Sequence, residues 1–495
     1  MPFAPKAVLG KASLLVAGLM TLSACAVGPD YQRPDVPLSP AYKEAAASGL
    51  WRPGAPAGVD GGPWWAIYGD TELNDLLAQV DLSNQTIKGS EAAYRQALAA
   101  VDAARSSFFP TLSLGASGDR AKSLVASRAG TGSAQSAIAN AYGTSASASW
   151  APDIWGKIRR SVEQSDAQAR ASGDDLAAAR LSAQGALVAD YFSLRYEDAL
   201  KHLLEANVAA YERSLSITRN QYAVGTAARS DVAQAETQLA STRSQLVAVG
   251  VQRAELEHAI AVLVGRPPAD FSIADNGSQT LMAVPGVPAG IPSDLLERRP
   301  DIAASERQVA AANAAIGVAV AAYFPSLTLS GSTGFSASTL GSLLAASNNV
   351  WSVGPQLALT VFDAGARDAA VDQARAAHDQ AVASYRQTVL AAMQSVEDQL
   401  AALRVLADQA AVQEVAVTSA RQAEQLVLNQ YKAGTVAYTS VVTAQATSLA
   451  NQQTALSIAQ SRLAASVSLI QALGGGWQRP ADDADPAAPA APTEG

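Results

Sequence analysis

The sequence predicts an internally duplicated, mainly α-helical chain that contributes four strands to a membrane β-barrel. Three observations carry this expectation. The heptapeptide Asn220-Gln221-Tyr222-Ala223-Val224-Gly225-Thr226 returns as Asn429-Gln430-Tyr431-Lys432-Ala433-Gly434-Thr435, a spacing of 429 − 220 = 209 residues. Of 495 residues, 49% are hydrophobic, many of them Ala, while 16% are charged and 6% aromatic; few bulky groups are available for a wide core, and close helix packing is expected instead. Two pairs of segments alternate small polar with apolar residues at period two, the weak signature of membrane-barrel strands.

The elements follow in chain order. Lys6 and Lys11 precede an apolar stretch from Leu14 to Leu19 that ends in Leu22-Ser23-Ala24-Cys25, so residues 1–24 read as a lipoprotein signal and Cys25 as the acylated first residue of the mature chain. Two or more acyl chains would hold the protein stably on a membrane. Cys25 is the one cysteine, which excludes a disulfide within the chain. Residues 25–62 are Pro-rich and are expected to run extended. A first repeat spans 63–265, with a strand hairpin at about 110–152 and a helical hairpin whose tip is Gly225-Thr226. No Pro interrupts Lys157 to Tyr222; roughly 65 residues at 1.5 Å each make a helix on the order of 100 Å long. After the tip, Val232, Leu239, Leu246 and Ile260, interleaved with Val249, Leu256 and Leu263, form a coiled-coil seam. Gly supplies the left-handed residue that closes a helix, and Thr226 and Thr435 are expected to cap the helices that follow.

Residues 266–299 connect the halves. The second repeat, 300–474, has its strand hairpin at about 326–362, an uninterrupted helix from about Arg367 to Tyr431, a tip at Gly434-Thr435, and a seam of Val442, Leu449, Leu456, Leu463 and Ile470. Residues 475–495 carry the composition of a disordered tail. Four strands cannot close a barrel, and open edges are not tolerated in lipid, so several copies must share one: two would give eight strands plugged by side chains, three would give twelve and a wet passage.

The net charge of −9 excludes a nucleic-acid partner, for no basic patch exists to neutralise phosphate. Beyond the signal no apolar run reaches the roughly 18 residues of a spanning helix. Enzyme chemistry finds no footing either: His202, His258 and His378 stand alone within helical stretches, no phosphate loop occurs, and no cofactor other than the lipid on Cys25 is expected. The paired acids Asp174-Asp175 and Glu397-Asp398 diverge on their helices and read as solvated or lumen-facing charge.

Taken in order, several motifs resemble the TolC-like outer-membrane factor family, and within it the NodT-type, OprM-like efflux lipoproteins. They are the Cys25 lipobox followed by Val27-Gly28-Pro29-Asp30-Tyr31, Trp64-Trp65 with Asp70 and Leu73, Leu295-Leu296-Glu297-Arg298-Arg299-Pro300-Asp301-Ile302, Ala319 to Leu329, and the duplicated Asn-Gln-Tyr-x-x-Gly-Thr. The resemblance implies a homotrimer with a twelve-stranded barrel in the outer membrane and a twelve-helix periplasmic tunnel. It implies an exit duct for small molecules, served by a periplasmic adaptor and an inner-membrane transporter of the resistance-nodulation-division (RND) type. The tips Gly225, Thr226, Gly434 and Thr435 would dock the adaptor. Aligned with the family pattern, Asp231 takes the place of an acidic gate residue and Tyr431 that of a gate tyrosine, with Arg229 and Tyr222 beside them; Ser440 and Thr443 replace acids found in relatives. Asp231 also reads as a capping carboxylate, and Tyr222 and Tyr431 as hairpin packing. A type I secretion duct and a lipid-anchored coiled-coil scaffold without a channel are the alternatives, and the cargo is not legible.

Overall fold

Two helices of identical length dominate the chain. The structure, a computed structural model, describes residues 26–44, 63–125, 135–278, 280–287 and 292–479. Helices α1 (Thr71–Ser83) and α2 (Gln85–Ser106) lead into strands β1 (Thr111–Val125) and β2 (Gln135–Trp150), then into α3 (Lys157–Ala223) and α4 (Arg229–Leu263). After a one-turn helix α5 (Leu295–Arg298), the series repeats as α6 (Pro300–Ala321), β3 (Ser326–Ala337), β4 (Asn349–Ala358), α7 (Ala366–Lys432) and α8 (Tyr438–Ala472). Helices α3 and α7 have 67 residues each, α4 and α8 have 35 each, and α2 and α6 have 22 each. The starts of the long helices keep the repeat register, 366 − 157 = 209 and 438 − 229 = 209, whereas the strand starts are offset by 326 − 111 = 215. The stretch from the first strand to the long helix is therefore 215 − 209 = 6 residues longer in the first half than in the second.

The halves of the sequence are not the packing units. One unit combines the chain up to Pro34 with Tyr94–Ala171 and Ser305–Ser384; the other combines Asp35–Ala93, Ser172–Ala304 and the chain from Tyr385 on. The first holds the whole sheet and a small-residue helix contact in which Ala167, Ala310 and Ala311 are buried with Tyr31 against them. The second holds the hairpin ends and heptad clusters such as Leu204, Val249 and Leu449. Ala at such contacts lets helix backbones approach closely, which explains how a chain poor in large side chains still packs.

Glycine sets four helix ends in the same way. Gly225 and Gly434 close α3 and α7, and Gly265 and Gly474 follow α4 and α8, each with φ between +72° and +95°. In all four the residue after the glycine donates to the carbonyl five residues back, a Schellman closure: Thr226 to Gln221, Thr435 to Gln430, Arg266 to Ala261 and Gly475 to Ile470. Among the described residues, no helix is long and apolar enough to cross a membrane.

Candidate functional site

The sheet is antiparallel, in the order β1-β2-β3-β4, so β1 and β4 are its edges. Its register puts opposite chemistries on opposite faces. Directly paired residues share a face. One face carries Leu112 and Ala148 beside Gly331 and Val353, and Leu114 and Ala146 beside Thr333 and Trp351. The other carries Ser113, Ser147, Ser332 and Ser352 in one row across all four strands, with Thr111, Ser149 and Ser330 in the next. Neighbouring hydroxyls in the row bond at 3.1 Å (Ser113 with Ser147) and 2.9 Å (Ser332 with Ser352). On the apolar face Leu114 is 82% exposed and Val353 77%, a contiguous greasy surface of the kind that a soluble sheet does not leave uncovered.

Each helical hairpin turns by the same bonds. Beyond the closures, Gly225 N–H donates to Tyr222 at 3.0 Å and Gly434 N–H to Tyr431 at 2.9 Å. Thr226 Oγ1 and Thr435 Oγ1 donate to the carbonyls of Gln221 and Gln430, each at 3.0 Å. The expected capping of the next helix is thus corrected: the Schellman fold brings the preceding helix's glutamine carbonyl within reach of the hydroxyl as well as the N–H, and the following helices start later, with Ala228 and Ala437 at their N-caps. Asp231 occupies the third position of α4, where its carboxylate accepts the Ala228 N–H at 3.4 Å and lies at the positive end of the helix.

The two tips join through tyrosines. Tyr211 of α3, Val232 and Leu239 of α4, Tyr431 of α7 and Tyr438 of α8 form one buried cluster. The rings of Tyr431 and Tyr438 stand edge to face with centroids 5.0 Å apart. Tyr438 Oη meets Ser214 Oγ at 3.3 Å, and Tyr211 donates to the Gln445 carbonyl at 3.2 Å. Burial pushes the Tyr211 hydroxyl up to about 12, so it stays protonated as a donor. Burial likewise raises the Tyr431 hydroxyl above its ordinary 10, and the Thr218 hydroxyl lies beside it. Tyr222, its equivalent in the first repeat, is exposed, as is Arg229. Of the gate candidates, then, Tyr431 lies in the joint between the hairpins, Asp231 at a capping position nearby, and Tyr222 and Arg229 outside it.

The model of the outer membrane efflux protein family matches residues 76–266 and again 291–475, one match per repeat. The chain belongs to the outer membrane efflux protein family. It is 33% identical over 479 residues to the toluene efflux pump outer membrane protein TtgF of Pseudomonas putida, covering 94% of this chain and 96% of the relative. To the outer membrane protein OprJ of Pseudomonas aeruginosa it is 30% identical, covering 95% and 97%. Among solved structures, the outer-membrane channel OprN matches with a TM-score of 0.83 at 29% identity, covering 92% of this chain and all (100%) of that one. The open-state MtrE outer membrane channel of Neisseria gonorrhoeae matches with a TM-score of 0.78 at 26% identity, covering 92% and 99%. This efflux protein accordingly works in the outer membrane of a Gram-negative bacterium, as part of an efflux pump, and has the TolC-type fold.

Its motifs acquire physical roles. Cys25 lies outside the described residues, but the segment behind it is firmly held. Arg160 of α3 donates to the Asp30 carboxylate at 2.8 Å and to the Val27 carbonyl at 3.3 Å; Asn313 of α6 donates to the Pro29 carbonyl at 3.0 Å, and Tyr31 to Glu306 at 2.8 Å. Farther along, Glu397 accepts the N–H groups of Lys43 and Glu44 at 2.7 and 3.0 Å, and Arg404 pairs with Glu44 at 2.9 Å. The expectation that Glu397 is solvated or lumen-facing charge is corrected: it anchors this segment. Arg299 grips Asp301 with two nitrogens at 3.0 and 2.7 Å and the Ala472 carbonyl at 2.9 Å, tying the start of α6 to the end of α8.

Sequence reasoning missed one charged node altogether. Asp198 is fully buried in α3, bonded by Arg195 at 2.9 Å and Arg253 at 2.7 Å. The same arginines hold the connector through the carbonyls of Ala274 and Ile273, and Arg195 also pairs with Glu72. The one available signal was a charged residue set in an apolar stripe. Beside it, Asp275 accepts from Lys201 at 3.0 Å and contacts His202 at 2.9 Å.

Proposed function

We propose that this efflux protein is the lipid-anchored, homotrimeric exit duct of a tripartite pump, fed through a periplasmic adaptor by an RND-type inner-membrane transporter. The observation that carries the reading is the two-faced sheet. It has an apolar face, a hydroxyl face and two unpaired edges, and only closure with further copies removes edges from a hydrocarbon environment. Three copies give 3 × 4 = 12 strands, apolar outward and hydroxyl-lined within, wide enough for a wet passage. Acyl chains on Cys25 hold each copy, and the Arg160–Asp30 clasp fixes the chain close behind that anchor. The duct carries out no chemistry and binds no cofactor; the transporter supplies the driving force. Relatives named for toluene, solvent and antibiotic efflux support small apolar or amphipathic molecules as the cargo class. The hairpin tips at Gly225-Thr226 and Gly434-Thr435 receive the adaptor, and Asp231, Tyr431, Tyr222 and Arg229 contribute to the resting closure, which opens by hinge and shear of the hairpins.

A photo-crosslinking residue placed at Ala227 or Val436, beside the tips, tests the partner. Capture of an RND-type adaptor in living cells is the expected result. Capture of an adaptor linked to an ABC transporter would move the chain to type I secretion, and a trimer that captures no envelope adaptor would return it to a scaffold role.

A further inference from the structure

The two tips are built alike and used differently. Adding 209 to Tyr222 and Arg229 gives Tyr431 and Tyr438. The second pair is buried in the joint between the hairpins, 6% and 1% exposed, whereas Tyr222 is 45% exposed and Arg229 also faces solvent. The wall that receives Tyr438 has a counterpart as well: Tyr211, Ser214 and Ala235 map onto Ala420, Ala423 and Ala444 (211 + 209 = 420, 214 + 209 = 423, 235 + 209 = 444). Those three alanines line an open groove of about 410 Å³ between α7 and α8, together with the hydroxyl residues Ser440, Thr443 and Thr447. Among the described residues, therefore, one joint is filled, one pair projects into solvent, and one matching groove stands open.

We propose that the α7–α8 groove receives Arg229 and Tyr222 of a second copy of this chain. The proposal deepens the trimeric reading above and rests on it. Chemistry has changed on both sides of the duplicated joint in a matched way. Where the filled joint sets Tyr438 against Tyr211 and Ser214, the open one sets Arg229 against Ala420 and Ala423. The wall recedes, and the incoming group becomes longer and charged. Alanines seat the aliphatic stem of an arginine, and hydroxyl oxygens accept its guanidinium donors. Thr443 Oγ1 donates its own proton to the Thr439 carbonyl at 3.0 Å, which leaves its lone pairs for such a donor. A contact of projection into groove is heterologous, and repeated head to tail it generates a ring. Around that ring, joints of buried tyrosine within each copy alternate with arginine–hydroxyl joints between copies. The latter bury less apolar surface and part first when the tips spread.

The test uses the full chain, whose one native cysteine is Cys25. Arg229→Cys and Ala423→Cys are introduced together and singly, and each protein is treated in membranes with a short bis-thiosulfonate crosslinker. The mass of the untreated double variant is measured in detergent in parallel. A covalent ladder reaching three chains, formed by the double variant and by neither single one, is expected. A three-chain mass without the ladder, or a crosslink confined within one chain, overturns the groove assignment and leaves the trimer standing. A one-chain mass overturns both. As a second measure, Arg229→Ala is expected to raise subunit dissociation in detergent about tenfold or more, the loss of a charge-assisted hydrogen bond, with Arg229→Lys largely restoring association; unchanged dissociation for Arg229→Ala counts against the proposal.

Discussion

Gly28 lies so close to Gly317 that a Cβ on Gly28 would fall 2.5 Å from the Gly317 Cα, and Gly28 itself has a φ of +100°. Neither residue can be enlarged without moving the segment that follows Cys25. A Cβ on Gly317 would fall 2.8 Å from Arg160 Cγ, the side chain that holds Asp30.

Gly317→Ala sets two effects against each other. Alanine favours a helix interior by about 1 kcal/mol over glycine, while overpacking costs about 1–3 kcal/mol. Net destabilisation is expected, with release of the Asp30 clasp. Limited proteolysis should cut the segment around residues 26–34 faster in the variant, and Gly28→Ala, strained as well as crowded, should be worse. Equal cleavage rates would show that the contact yields freely.

Tyr431→Ala removes a buried ring from the joint and is expected to destabilise the tips by about 3–5 kcal/mol. Within a single copy, Tyr222→Ala should stay within about 0.5 kcal/mol, because its ring is exposed there. Hydrogen exchange of the amides following Gly434 and Gly225 reads the difference, and equal protection in the two variants would contradict it.

The connector clasp should depend on pH. The hydrogen bond that His202 donates to Asp275, with the charge of Asp275 and the contact with Glu205, raises His202 above its ordinary 6.5 despite some desolvation. For Asp275, burial alone would raise the carboxyl, but the Gly277 N–H, His202 and Lys201 together outweigh it and hold it well below the ordinary 3.8. The His202 contribution is complete below 6.5 and is lost as pH rises through its raised value; the Asp275 contribution is present above 3.8 and is lost in stronger acid. Cleavage within 266–278 by a protease active across the range should be slower at about pH 5.5 than at about pH 8.5. His202→Gln should remove most of that difference, with Lys201 keeping Asp275 paired at both values.

Leu114→Arg places a charge on the apolar face of β1, at a cost of about 2–4 kcal/mol if the site lies near the bilayer midplane. Ser147→Ala, on the hydroxyl face, deletes one hydrogen bond worth about 0.5–1.5 kcal/mol. The yield of detergent-resistant assembly extracted from outer membranes should fall sharply for the first and little for the second. The reverse order would mean that the two faces have been assigned the wrong way round.

Local chemistry made much of this fold legible. Gly225 and Gly434 marked both tips because a left-handed closure is decided within a few residues, and period-two alternation located the strands because the pleat fixes the face of each side chain. Non-local neighbours were out of reach. Tyr222 and Tyr431 sit in nearly identical heptapeptides yet differ in burial, because only one of them has another hairpin beside it in the chain. Thr226 can serve a carbonyl behind it or an N–H ahead, and the backward fold of the closure decided between them. Glu397 was read as solvated because its partners, the N–H groups of Lys43 and Glu44, are more than 350 residues away in sequence.

In the duct proposed above, a molecule passing the row of Ser113, Ser147, Ser332 and Ser352 would meet a wall without a preferred sign. A hydroxyl rotates to give or to take a hydrogen bond, so cations, anions and neutral solutes meet the same modest welcome and none is held. Four such hydroxyls discriminate little by charge, which in the proposed duct leaves the choice of molecule to the parts upstream of these strands.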